Sequence, residues 1–273
     1  MKRKKLKTSK GNIVYWTNEK KADNVPQLVF LPGLTADHRL FIKQIQNFQN
    51  DYSILVWDAP GHALSYPFEM DFKLEDKAKW LNEILIKEGY EHPVIIGQSM
   101  GGYVGQMYAE LFPGKMAGFI IIDSAPIQKK YYKDWEIKSL ENTETMYKLY
   151  PWKLLLRHGT DGVAESRYGR GCMYRMMLTY DNDQARYAKL AGHGFNIVAQ
   201  AIKEDLPYEI TCPALLICGT KDHAGFTKRY NKTWAEKSGI PIEWIEGAGH
   251  NSNTDAPERV NEIIEEFLDE LNE

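Results

Sequence analysis

Short apolar segments alternate along most of the chain with stretches in which apolar residues recur at helical spacing. Strand-like segments lie at 3–8, 12–17, 27–31, 52–57, 94–98, 118–122, 214–218 and 242–245. Between them, Leu74, Ala78 and Leu81 share one face of a helix, and residues 260–271 repeat this spacing. The alternation predicts an α/β fold with a mostly parallel, twisted eight-stranded sheet and helices on both faces.

Residues 127–206 interrupt this alternation, because they contain no convincing buried strand. They are rich in aromatic and methionine side chains, namely Tyr131, Tyr132, Trp135, Tyr147, Tyr150, Trp152, Tyr168, Tyr174, Tyr180, Tyr187, Phe195, Met146, Met173, Met176 and Met177. This composition predicts several short helices inserted into a core formed by residues 1–126 and 207–273. These side chains could form the insertion's own core or line a substrate site, and both interpretations stay open.

Composition narrows the class of protein. A chain of 273 residues, 43% of them hydrophobic, can form one large α/β domain with an insertion. The net charge of −3 argues against a nucleic-acid partner. The basic start, Met1 to Lys7, precedes no apolar segment, so we expect neither a signal peptide nor a membrane span. Cys172, Cys212 and Cys218 lack metal-ligand spacing, which favours reduced thiols in a cytoplasmic protein without bound metal.

The segment Gly97-Gln98-Ser99-Met100-Gly101 carries the first candidate for chemistry. It follows an apolar strand and precedes a helix, so the serine must leave the strand through a sharp turn. Small residues two positions before and after the serine allow such a turn. The free N–H groups at the start of the helix could bind an oxyanion. The pattern favours a nucleophilic serine, although glycine and serine are also common in ordinary turns.

Two further groups needed by a serine nucleophile follow later predicted strands. Asp222 comes after the strand at 214–218, and His250 comes after the strand at 242–245. Because the carboxyl ends of parallel strands share one edge of a sheet, we expect Ser99, Asp222 and His250 to meet there. Asp222 could instead cap the helix that follows it. Asp123, after the strand at 118–122, is the alternative acid.

Together these motifs resemble those of the α/β-hydrolase superfamily, in the serine hydrolase branch with a helical cap after strand six. The resemblance covers nearly the whole chain outside the insertion and implies that residues 127–206 form the cap. It is carried by four segments: the nucleophile elbow at 97–102, Asp58-Ala59-Pro60-Gly61-His62-Ala63-Leu64-Ser65 after strand four, Gly219-Thr220-Lys221-Asp222, and Gly247-Ala248-Gly249-His250.

The resemblance also implies roles for these residues. Ser99 would be the nucleophile, His250 the general base and Asp222 the acid that orients it. The backbone N–H groups of Leu34 and Met100 would form the oxyanion hole. The family's common His-Gly pair after strand three is Pro32-Gly33 here, which makes the Leu34 position less firmly defined than Met100.

The predicted function is cofactor-free hydrolysis of a small-to-medium carboxylic ester, or of a related small carbonyl compound, through an acyl-enzyme. Trp135, Tyr150 and Met176 are candidate substrate contacts in the cap. A carbon–carbon bond hydrolase, a lactonase, a monoglyceride lipase or an amidase would use the same triad. A ligand receptor with slow turnover on a hydrolase fold is the alternative from another class. Monomeric and dimeric states are both compatible with the sequence.

Overall fold

The computed structural model describes residues 1–18 and 25–272, which fold around an eight-stranded sheet. Its strands are β1 (Lys2–Lys7), β2 (Asn12–Thr17), β3 (Gln27–Leu31), β4 (Ser53–Trp57), β5 (Val94–Gln98), β6 (Gly118–Ile122), β7 (Ala214–Gly219) and β8 (Ile242–Ile245). Its α-helices are α1 (Ile42–Phe48), α2 (Leu74–Glu88), α3 (Met100–Leu111), α4 (Asp134–Leu140), α5 (Thr143–Leu149), α6 (Trp152–Asp161), α7 (Arg167–Met177), α8 (Gln184–Glu204), α9 (Thr227–Ser238), α10 (Ser252–Asp255) and α11 (Pro257–Asn272). The predicted α/β class is confirmed.

The strands lie in the order β1-β2-β4-β3-β5-β6-β7-β8. β1 pairs with β2 and β2 with β4 in antiparallel fashion, and the pairings from β4 through β8 are parallel. The carboxyl ends of β3, β5, β6, β7 and β8 therefore lie along one edge of the sheet. The loops that leave these strands meet there, as the sequence predicts.

Both faces of the central strands are buried, which explains their continuous apolar character. In β3, Val29 and Leu31 belong to a cluster packed under α2 and α3, whereas Leu28 and Phe30 belong to a second cluster under α1 and α11. All four side chains are fully buried. This pattern requires a layer of helices on each face of the sheet. Without it, the apolar side chains on that face would stay in contact with water, and the free energy gained by burying them would be lost.

The helices α4 to α8 lie between β6 and β7 and account for the interrupted alternation. The longest of them, α8, lies against the core: a Cβ added at Gly194 would come within 2.4 Å of Leu34 Cδ1. On its other side α8 packs on α5, where a Cβ at Gly192 would lie 2.5 Å from that of Glu144. Within the described ranges, the helices include none with the length and apolar character needed to cross a membrane.

Several boundaries differ from those predicted. The first strand begins at Lys2 rather than at residue 3, and the helix expected near Asp37 is first a 3-10 turn, His38–Phe41. The helix expected from residue 225 begins at Thr227. The short α10 has no apolar repeat and was not predicted, because a tertiary hydrogen bond holds its start: Ser252 N–H donates to the Asp123 carboxylate over 2.9 Å.

The β5–α3 turn brings backbone segments too close together for any side chain. A Cβ at Gly101 would lie 1.8 Å from the carbonyl oxygen of Leu31 in β3, and a Cβ at Gly97 would lie 2.5 Å from the carbonyl carbon of Gly101. Ser99, between them, has a φ of 49°. The two glycines of the motif are therefore required by close packing of backbone against backbone.

We expect Gly101→Ala to lower the free energy of unfolding by at least about 2 kcal/mol, because rigid backbone atoms must move to admit the methyl group. Urea denaturation monitored by circular dichroism measures the change. Gly171→Ala in α7 is the matched control, because its nearest neighbour would be the flexible Arg175 side chain at 3.5 Å. That control should unfold at the wild-type midpoint or above it. Equal stability of both variants would contradict the close packing.

Candidate active site

Ser99 lies at the turn between β5 and α3, with φ 49° and ψ −113°. Its N–H donates to the Ile122 carbonyl over 2.9 Å, and its carbonyl accepts from Ser124 Oγ over 2.7 Å as well as from the N–H groups of Gly102 and Tyr103 in α3. The residue is partly exposed even though its neighbours Gln98 and Met100 are buried. A strained backbone that projects a side chain toward solvent is the arrangement expected of a functional serine.

The structure brings Ser99 together with the two other residues predicted to join it. His250 Nε2 lies 2.9 Å from Ser99 Oγ, and His250 Nδ1 lies 2.8 Å from Asp222 Oδ2. An ionised carboxylate only accepts hydrogen bonds, so Nδ1 carries the proton of the neutral ring. The unprotonated Nε2 then accepts the Ser99 hydroxyl proton. The result is a continuous chain of hydrogen bonds from carboxylate to hydroxyl.

The electrostatics of this chain favour a basic imidazole. Burial alone would lower the pKa of His250, but the charge of Asp222 and its hydrogen bond to Nδ1 raise that pKa, and the Asp123 carboxylate adds to the increase. The net pKa lies above the ordinary histidine value of 6.5. A base with a raised pKa takes up a proton more readily, which is what abstraction from a serine hydroxyl needs.

The two candidate acids occupy different positions. Asp222 contacts His250 directly, and its other oxygen accepts from the Ala224 N–H over 2.8 Å. It does not cap α9, whose N-cap is Phe226. Asp123 is equally buried but lies behind this pair and bonds to Gly219 and Ser252 instead of to His250. The geometry therefore favours Asp222 over Asp123 as the partner of the imidazole.

The loop after β3 lies directly beside Ser99. A Cβ at Gly33 would come within 3.3 Å of the Ser99 Cβ, which places the next residue, Leu34, at the edge of the site. In residues 1–18 and 25–272, the backbone N–H groups of Leu34 and Met100 donate no hydrogen bond to the protein. Met100 is the first residue of α3, where an N–H group has no partner within the helix. Both N–H groups therefore lack a protein acceptor in the described residues.

Sequence reasoning missed two side chains that hold the histidine loop in place. Gln98 Nε2 donates to the His250 carbonyl over 2.8 Å. Asp255 accepts from Gly249 N–H over 2.8 Å and also from the N–H groups of Glu165 and Ser166, each at 2.8 Å, which joins this loop to the inserted helices. A polar glutamine at the end of an apolar strand was a usable signal, whereas the bonds that Asp255 accepts from Glu165 and Ser166 span 90 and 89 residues.

The three candidate substrate contacts in the insertion have different surroundings. Trp135 is 55% exposed and packs edge-to-face on Phe226. The Tyr150 hydroxyl pairs with His158 Nδ1 at 2.7 Å within the insertion. Met176 is fully buried, and its sulfur accepts from Asp37 N–H at 3.4 Å, close to the loop that carries Leu34. In the part of the chain that the structure describes, none of the three bonds to Ser99, Asp222 or His250.

A separate cavity of about 870 Å³ lies between the β1–β2 turn, the loop after β4 and the start of α8. Its lining includes Lys10, Leu64, Tyr66, Arg186 and Leu190. None of its lining residues belongs to the triad or to the loops after β3 and β5. Its size alone therefore does not make it the substrate site of the Ser99 cluster.

Among the residues that the structure describes, two groups of side chains place metal-ligand atoms within 4.8 Å of one another: Asp37, His38 and Asp58, and Asp123, Cys218 and Asp222. Hydrogen bonds within the protein already account for their arrangement. Asp58 accepts from His38 Nδ1 at 2.8 Å and from two backbone N–H groups, and Asp222 accepts from His250. The prediction that the protein binds no metal stays a prediction.

Several proteins of similar sequence or structure are named as esterases or other hydrolases. A model of the alpha/beta hydrolase fold matches residues 26–257. A Mycoplasma genitalium protein assigned as an esterase/lipase is 22% identical over 95% of this chain and 94% of its own length.

A thermophilic esterase from Thermogutta terrifontis superposes with a TM-score of 0.82 at 18% identity, with all of both chains covered. Est816, described as an N-acyl homoserine lactone degrading enzyme, gives 0.76 at 19% identity, covering 97% of this chain and 100% of its own.

Identities this low establish a common fold and leave the substrate open. The family model covers most of the chain, including the elbow at 97–102, Asp222 and His250. The chain is therefore a member of the α/β-hydrolase family and a hydrolase.

Proposed function

We propose that the protein is a serine hydrolase that cleaves small-to-medium carboxylic esters. The observation that carries this proposal is the hydrogen-bonded series Ser99 Oγ, His250 Nε2, His250 Nδ1 and Asp222 Oδ2, with separations of 2.9 and 2.8 Å. Esterases among its relatives support the choice of ester over other carbonyl substrates.

In the first half of the reaction, Ser99 Oγ attacks the ester carbonyl carbon while His250 Nε2 accepts the hydroxyl proton. The imidazolium that forms is stabilised by Asp222. The carbonyl becomes a tetrahedral oxyanion, for which the unpartnered N–H groups of Leu34 and Met100 supply donors beside Ser99. When this intermediate collapses, His250 returns the proton to the leaving alcohol and an acyl-Ser99 ester remains.

In the second half, a water molecule replaces the alcohol. His250 Nε2 takes a proton from the water as its oxygen attacks the acyl carbon, and the same two N–H groups bind the second oxyanion. Collapse releases the carboxylic acid and returns the proton to Ser99 Oγ. The cycle consumes one ester and one water, produces one alcohol and one acid, and needs no cofactor.

Residues 127–206 are proposed to form a cap that sets the size of the substrate. Support comes from α8, in which Gly194 lies against Leu34, and from Asp255, which bonds both to Gly249 and to the residues just before α7. Of the candidate contacts, Met176 has the best support because it touches the Asp37 end of the loop that carries Leu34. Trp135 and Tyr150 would reach substrate only from the outer part of the cap.

We expect a fluorophosphonate probe to label the wild-type protein on Ser99, because the activated hydroxyl attacks phosphorus as it attacks a carbonyl. Ser99→Ala should abolish labelling and ester turnover. Peptide mass spectrometry identifies the labelled residue, and Ser124→Ala serves as a control for a neighbouring serine that should leave labelling detectable. Labelling on another residue, or none in the folded wild-type protein, would contradict the nucleophile assignment.

We expect kcat/KM for an uncharged ester to fall at low pH with a midpoint above 6.5, because the pKa of His250 is raised and the ring must be neutral to accept a proton. Replacing Asp222 by Asn removes the main cause of this increase. The variant should lose about 10⁴-fold in kcat, as a triad does when its carboxylate is exchanged for an amide. A pH-stat assay of both proteins measures the effect. A midpoint well below 6 in the wild-type enzyme would contradict the assigned electrostatics.

A substrate panel tests the reaction class. p-Nitrophenyl esters of increasing acyl length, lactones, amides and β-diketones are compared by kcat/KM. We expect short or medium acyl esters, with lactones as cyclic esters, to exceed amides and β-diketones. A preference for amides or diketones would replace the ester proposal. Trivial rates on every substrate, in a protein that is still labelled at Ser99, would favour the slow-turnover receptor.

A further inference from the structure

The segment that leaves β6, Ile122-Asp123-Ser124, contacts each of the three loops that carry the candidate triad. Toward the nucleophile, the Ile122 carbonyl accepts from Ser99 N–H over 2.9 Å and Ser124 Oγ donates to the Ser99 carbonyl over 2.7 Å. The Asp123 side chain points the other way, toward the loops after β7 and β8. One short segment therefore joins three loops that are distant in sequence.

The Asp123 carboxylate accepts three hydrogen bonds, from the last residue of β7 and the first residue of α10, which flank the loops that carry Asp222 and His250. One oxygen accepts from Gly219 N–H over 2.8 Å, at the end of β7 and three residues before Asp222. The other oxygen accepts from the N–H and the hydroxyl of Ser252, over 2.9 and 2.6 Å, two residues after His250. The carboxylate thus fixes the acid loop and the histidine loop to the same point.

The backbone of Asp123 is also unusual, because its φ of 47° lies in the left-handed region that non-glycine residues avoid. This conformation turns the chain so that its side chain leaves β6 between β7 and the start of α10. A strained backbone persists only where surrounding contacts hold it. The three hydrogen bonds of the carboxylate are such contacts.

Asp123 also acts on the triad through its charge. The ionisable groups that face it are Asp222 in the loop after β7, Cys218 within β7 and His250 in the loop after β8. Burial, followed by the neighbouring charge of Asp222, raises the pKa of Asp123 to about 7. The ionised form in turn raises the pKa of His250. Two carboxylates therefore lie behind one imidazole, and only Asp222 touches it.

We propose that Asp123 is a positioning residue of the hydrolase: its buried carboxylate, through its hydrogen bonds to Gly219 and Ser252, holds the Asp222 and His250 loops in register with the Ser99 turn. This inference rests on the proposed function for its kinetic consequences. The effect of the Asp123 charge concerns His250 alone and can be measured without turnover.

Asp123→Asn and Ser252→Ala separate the two effects. The Asn variant loses the charge. Its amide N–H group also replaces one carboxylate oxygen, so it faces a donor of Gly219 or Ser252 that it cannot accept from. The Ala variant loses one hydrogen bond but keeps the charge. We expect Asp123→Asn to reduce kcat at least tenfold and to change KM less than threefold. The acid limb of the pH profile, in which kcat/KM falls as His250 is protonated, should move to lower pH. Ser252→Ala should reduce kcat severalfold and leave the acid limb in place.

Asp58→Asn is the matched control for loss of a buried charge. Asp58 also ends a strand, is fully buried and accepts three hydrogen bonds, but its donors are His38 and Leu64 rather than residues of the triad loops. Thermal unfolding should show a lower Tm for both Asn variants, whereas only Asp123→Asn should shift the acid limb. An equal shift in both would mean that the effect is a general consequence of destabilisation, and the proposal would be wrong.

Nitrogen NMR of the His250 ring in the folded wild-type protein supplies a test that needs neither a variant nor an ester. The ring signals of His250 should titrate with a midpoint above 6.5, because the charges of Asp222 and Asp123 raise the pKa of the imidazole. A midpoint at or below 6.5 would overturn the electrostatic part, even if Asp123→Asn fails to fold. A loss in Asp123→Asn as large as that in Asp222→Asn, with an unshifted acid limb, would overturn the positioning role. Failure of Ser99 labelling in the wild-type protein would instead reject the proposed function.

Discussion

The close contact between β3 and the start of α3 is the constraint on which the candidate site depends. Gly101 allows the helix to begin against the Leu31 carbonyl, where a methyl group would lie 1.8 Å away. That contact allows the sharp turn at Ser99, where the first N–H group of the helix has no partner within the helix and the loop of Gly33 lies beside the serine. The hydroxyl and both candidate oxyanion donors therefore derive their positions from one packing contact between backbones.

Much of the fold and the central part of the site could be predicted from sequence because they follow from local patterns. Apolar runs alternating with amphipathic helices indicate parallel strands, and parallel strands bring their carboxyl ends to one edge. Ser99, Asp222 and His250 each follow such a run, so their convergence is a consequence of topology. The structure brings these three side chains within hydrogen-bonding distance, as the sequence analysis expected.

The remaining features depend on contacts that local patterns do not encode. The choice between Asp222 and Asp123 depends on which carboxylate reaches His250, since both follow strands at the same edge of the sheet. The short α10 forms around a bond from Ser252 to Asp123, 129 residues away. The positions of Trp135, Tyr150 and Met176 depend on how the inserted helices pack, and aromatic content alone does not distinguish an exposed tryptophan from a buried methionine.

The central claim, that Ser99 carries the acyl group, is tested most directly by rapid quenching of the reaction with p-nitrophenyl butyrate followed by mass spectrometry of the protein. The mechanism predicts a butyryl adduct on the peptide that contains Ser99, formed as p-nitrophenol is released and lost as turnover ends. An adduct on a different residue would contradict it.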